Sequence, residues 1–75
     1  FTNAQYNLGV MYENGDGVPE DKVLAYMWWN LAAANGYESA SKHKGFIAKE
    51  FMTSSQIAEA QKLSRECLKN NYKNC

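Results

Sequence analysis

Besides a pair of cysteines, four groups of residues in this 75-residue chain are of types that do chemistry. Ser39-Ala40-Ser41-Lys42 has Ser-x-x-Lys spacing, in which a lysine one helical turn on can activate a serine nucleophile. The S-D-N and K-T-G elements that complete such machinery do not follow it, and a four-residue pattern arises often by chance. His43 is the sole histidine. With no evident partner for general acid–base work it reads as a surface residue of a helix. Asn14, Asp16, Glu20 and Asp21 offer oxygen ligands, without the alternating spacing and closing bidentate Glu of a calcium loop. Gly15-x-Gly17 lacks the Lys-Ser/Thr pair of a phosphate-binding loop. These residues read as a non-enzyme, with no catalytic residues, no metal and no cofactor.

The two cysteines, Cys67 and Cys75, make no zinc site, which wants four ligands. They are either two unrelated thiols or a disulfide. In an unbroken helix their Cα atoms would be about 12 Å apart, beyond the roughly 7 Å that a bridge allows. A bridge therefore requires the chain to stop and turn back, and Asn70-Asn71 suits this because Asn tolerates the left-handed conformation that ends helices. Such a loop would add about 2.5 kcal/mol in the chain-entropy model. The bond would persist only in an oxidising compartment, which points to a periplasmic or secreted protein. Free thiols would point to the cytoplasm.

The elements that position these residues are helical. The first helix is expected over Asn3–Glu13, capped by Thr2 or Asn3, with Tyr6, Leu8, Met11 and Tyr12 at helical spacing. Gly9 inside it costs roughly 1 kcal/mol against Ala, which close approach of another helix would offset. Gly15 and Gly17 end it. The second helix is expected over Glu20–Asn35, with Pro19 at its start, Asp21 positioned to cap, and Leu24, Trp28 and Leu31 on one apolar stripe flanked by Ala25, Ala32 and Ala33. Trp28 and Trp29 point about 100° apart, so one belongs to the core and the other covers a seam between hairpins. Gly36 closes this helix. A third helix is expected over Glu38–Phe51. A fourth spans Ser54–Asn70, opened by the capping box Thr53-x-x-Gln56, with Ile57, Ala60, Leu63, Ser64, Cys67 and Leu68 inward.

Ala4 recurs as Ala40 and Gly9 as Gly45, both 36 positions on, and a two-helix unit of that period is the mark of a helical solenoid. Ala4, Leu8-Gly9, Tyr12, Gly15, Gly17-Val18, Asp21, Ala25, Trp28-Trp29, Ala32-Ala33 and Gly36 together resemble a Sel-one-like repeat, a cousin of the tetratricopeptide repeat. The expected architecture is an all-α, right-handed α-solenoid of antiparallel hairpins with about four helices. Residues 1–36 form the repeat hairpin, and 37–75 a degenerate repeat and C-terminal capping hairpin. The resemblance extends to the tails of bacterial secreted or periplasmic members. The Cys-x7-Cys spacing is similar to the disulfide-bridged repeats of cysteine-rich relatives.

What the resemblance implies is a protein- or peptide-binding module at the end of a longer array, the chain starting at Phe1 as a segment of a larger protein. Helices one and three would line the concave face. The ligand-binding positions would be Asn3, Tyr6, Val10, Glu13 and Asn14, then Ser39, Lys42, Phe46, Lys49 and Glu50. Two alternatives stand beside it: β-lactam binding or hydrolysis, as suggested for cysteine-rich relatives, and a purely structural cap in which Tyr6 and Phe46 merely pack between hairpins. Eight basic and eight acidic side chains cancel, leaving no field to attract nucleic acid. No apolar run nears the roughly 20 residues of a membrane span. An unpaired N-terminal repeat face could join two copies of the chain.

Overall fold

The computed structural model describes residues 2–73 and 75. They form α1 (Thr2–Asn14), α2 (Lys22–Ala34), α3 (Glu38–Phe51) and α4 (Ser54–Lys69). The chain is all-α, of the helical-hairpin solenoid kind.

Each connection is made by local backbone chemistry. α1 ends with the Asp16 N–H donating to the Met11 carbonyl at 3.0 Å and Gly15 at φ 71°. α2 ends in the same way: Tyr37 N–H reaches the Ala32 carbonyl at 3.0 Å, Gly36 N–H the Ala33 carbonyl at 2.9 Å, and Gly36 has φ 90°. This is the Schellman arrangement, which satisfies the last carbonyls of a helix through one left-handed residue. Asp21 caps α2, accepting from Leu24 N–H at 3.1 Å, so the helix begins at Lys22 and not at Glu20. Pro19 lies outside the helix. The Thr53–Gln56 capping box opens α4 as the sequence indicates, its two bonds 3.1 and 2.9 Å long. Thr2 and Asn3 both lie inside α1, so neither is its N-cap.

α2 is the hub against which α1, α3 and α4 all pack. That corrects its expected apolar stripe. Leu24 and Trp28 are only half-buried, whereas Ala25, Tyr26, Met27, Trp29, Leu31 and Ala32 are buried. A helix covered on three sides cannot be amphipathic in the ordinary sense. Trp29 joins Ala25, Tyr26, Ala32, Ala40, Ile47 and Ala60 in one core. On a second face of α2, Met27 and Leu31 meet Cys67 of α4, with Leu24, Trp28 and Leu63 around them. Leu68, expected inward, is 45% exposed. Trp28 thus covers the seam between α2 and α4.

Gly9 and Gly45 share a repeat position but not a role. A Cβ on Gly9 would overlap the Trp29 indole, while one on Gly45 would meet nothing within 4 Å. The reason is that α4 packs on α2 and makes little contact with α3. The inward residues show the register. Ala40 and Ile47 are buried, with Lys44 half-buried between them, and they stand 36 positions after Ala4, Met11 and Leu8. Ala60, Ser64 and Cys67 of α4 stand 36 after Leu24, Trp28 and Leu31.

Candidate protein-binding face

α1 and α3 are joined by a cluster of four rings. Tyr6 lies 4.9 Å from Tyr37, 5.3 Å edge-on from His43 and 6.4 Å from Trp29 between centroids. His43 is in turn 5.1 Å from Trp29. Aromatic pairs at such separations attract beyond the area they bury. His43 Nδ1 lies 2.7 Å from the Ser39 carbonyl, an acceptor only, so Nδ1 carries the proton. In the neutral ring Nε2 then accepts from the Tyr6 hydroxyl, 3.3 Å away. His43 is half-buried and therefore not the partnerless surface residue that the sequence suggested. Its repeat equivalent, Asn7, is exposed. α3 turns this flank toward α1, whereas the same flank of α1 has no helix beside it among the described residues.

Beside the cluster runs a shallow groove of about 400 Å³, lined by Glu13, Lys42, His43 and Phe46. Phe46 is 57% exposed and meets Phe51 in an edge-on pair at 6.0 Å. Lys22 Nζ stands 5.1 Å over the Phe51 ring. It also donates to the Glu13 carbonyl at 3.2 Å, so this end of the groove is tied to the α1–α2 connection. Lys42 pairs with Glu38 at 3.8 Å, both ends well exposed. Such pairs are worth little, so Lys42 is available to a partner. The Lys42 amine faces Glu38, and the Ser39 hydroxyl has no hydrogen bond among the described residues. Glu13 is half-buried and in no ion pair among them.

The remaining positions separate by burial. Val10 is half-buried against the core. Asn3, Asn14, Lys49 and Glu50 are exposed and away from the groove lining. Of the oxygen ligands near the α1–α2 turn, Asp21 caps α2 and Glu20 pairs with Lys22 at 3.5 Å.

The stretch that forms this glycine-ended hairpin has a counterpart among known families. Residues 2–37 match the family model of the Sel1 repeat. This chain carries a Sel1 repeat. No curated protein matches it. Sel1 repeats generally mediate protein–protein interaction. In this Sel1 repeat several residues have a physical task that the structure shows. Gly9 admits the Trp29 indole, whose Nε1–H donates to the Tyr6 carbonyl at 3.1 Å. Tyr12 lends its carbonyl to the Asp21 N–H at 2.9 Å, closing the loop that Gly15 and Gly17 turn. Asn35 donates to buried Gln5 at 3.2 Å, tying the end of α2 to the start of α1. No helix among the described residues is long and apolar enough to cross a membrane. Cys67 and Cys75 are bridged, their Cα atoms 5.4 Å apart, as an oxidising compartment allows.

Proposed function

We propose that the chain is a peptide- or protein-binding adaptor whose contact surface is the α1–α3 groove. The supporting observation is Phe46: a large ring, 57% exposed, with Glu13 and Lys42 across and beside it. Interfaces are anchored by such aromatic residues within a polar rim. The groove suits an extended segment that lays an apolar side chain on Phe46 and a cationic one against Glu13. Tyr6 serves the same face from below, by fixing α1 to α3. Asn3, Val10, Asn14, Ser39 and Lys49 extend it along the two helices. Residues 37–75 serve as a degenerate repeat and capping hairpin, and the Cys67–Cys75 bridge supports a location outside the reducing cytosol, in the periplasm or the secreted fraction.

Ala4, Leu8 and Met11 of α1, with Trp28 of α2, form the face that would receive a preceding hairpin. They are the repeat equivalents of the residues through which α3 and α4 dock on α2. In the isolated chain this face pairs two copies. Selection from a random peptide library tests the groove. Binding peptides should carry an apolar residue next to a basic one, and should lose affinity at least about tenfold on Phe46→Ala. Peptides indifferent to Phe46→Ala would sink the proposal.

A further inference from the structure

Lys69-Asn70-Asn71-Tyr72 repeats the helix ending Ala34-Asn35-Gly36-Tyr37. Tyr72 N–H reaches the Cys67 carbonyl at 2.8 Å and Asn71 N–H the Leu68 carbonyl at 3.1 Å, with Asn71 at φ 55° in the place of Gly36. There the likeness stops. Tyr37 has φ −82° and leads on into α3. Tyr72 has φ 63°, a left-handed conformation that bulky residues rarely adopt and that costs on the order of 1–3 kcal/mol unless the surroundings impose it. Two constraints impose it here. Cys75 is tied back to Cys67, and the Tyr72 hydroxyl lies 3.5 Å from Asn35 Nδ2.

Held in this way, Asn71 and Tyr72 wall a hollow of about 680 Å³, whose other sides include Ala4, Leu8, Gln5 and Trp28. We propose that the Cys67–Cys75 bridge is a redox latch on this hollow. Oxidised, it holds Tyr72 at the wall of the hollow that Trp28 also lines. Reduced, it lets Tyr72 relax to negative φ, and the tail swings off the hollow. Cys75 is exposed and Cys67 only 3% so, which gives the exchange its direction. A thiolate of a dithiol reductant attacks Cys75 Sγ and forms a mixed disulfide, and Cys67 leaves as a thiolate that takes a proton. The second thiol of the reductant then displaces Cys75, which is protonated in turn, and the reductant departs as a disulfide. Two electrons and two protons pass from the dithiol to the protein.

The test compares the oxidised chain with the same chain in excess dithiothreitol, free thiols being counted, both at a dilution at which light scattering gives the mass of a single chain. Three readouts are taken: acrylamide quenching of tryptophan fluorescence, amide NOE values at residues 71–73, and the far-UV helix signal. Trp29 is fully buried, so quenching reports mainly Trp28. Reduction should raise the quenching constant about twofold and lower the NOE values to those of a mobile end, with helix content unchanged. Unchanged quenching with both thiols free would overturn the latch, because the helix ending alone would then hold the tail. Collapse of the helix signal would overturn it equally, by making the bridge a staple of the whole fold. Tyr72→Gly supplies the second check, since glycine takes positive φ without strain and the bridge stays closed. Quenching should rise in that oxidised variant, and no rise would show that Tyr72 is not the wall.

Discussion

The Trp29 indole occupies the space that a side chain at Gly9 would fill, and its Nε1–H donates to the Tyr6 carbonyl at 3.1 Å, one turn back along α1. One contact thereby fixes both the separation and the axial register of α1 on α2. Gly9→Ala should destabilise by about 2 kcal/mol. Overpacking against a fully buried ring costs up to about 3 kcal/mol, and better helix propensity returns about 1. Gly45→Ala should do the opposite. Nothing lies within 4 Å of its added methyl, so urea melts should show a gain of about 1 kcal/mol. Equal effects at the two glycines would refute the packing described for α4.

Tyr6 and Phe46 divide stability from binding. Tyr6→Ala removes ring contacts to Tyr37, Trp29 and His43 and should cost about 2–3 kcal/mol in denaturant unfolding. Phe46→Ala, at an exposed site, should fall within about 0.5 kcal/mol of the parent. A large loss at Phe46 would make it a packing residue and remove the groove's anchor.

The capping box gives a local test. Thr53→Ala should lower stability by about 1 kcal/mol. The Thr53→Ala, Gln56→Ala double variant should lose less than the two single losses added together, since the two bonds close one box. Strict additivity in the thermal or urea midpoints would mean that the two side chains act independently.

Much of this was legible in the sequence, and the failures have physical causes. The turns at Gly15 and Gly36, the cap at Asp21 and the box at Thr53 rest on local backbone chemistry, which sequence displays directly. Leu24 and Trp28 misled because hydrophobic spacing assumes a helix with one covered face, and α2 has three. His43 escaped because its partners, Tyr6 and Trp29, come from other helices and the repeat register set it opposite exposed Asn7. Its spacing of four from Ser39 was the one local sign. Of the groove lining, Glu13, Lys42 and Phe46 stood in the repeat pattern and His43 did not, and the pairing of Phe46 with Phe51 depends on where α3 ends.

Association of two copies through the N-terminal face should be visible in light scattering as a mass that rises with concentration. Leu8→Lys should abolish it by placing a charge in the apolar seat beside Trp28. A concentration-independent monomer in the parent chain would contradict that pairing and leave the groove untouched.

The most direct measurement is titration of a library-selected peptide against the parent chain, Phe46→Ala and Lys62→Ala, the last lying on the exposed side of α4. The account predicts at least about a tenfold loss of affinity at Phe46→Ala, none at Lys62→Ala, and unchanged helix content in both. Equal affinity in all three proteins would contradict the assignment of the α1–α3 groove as the binding face.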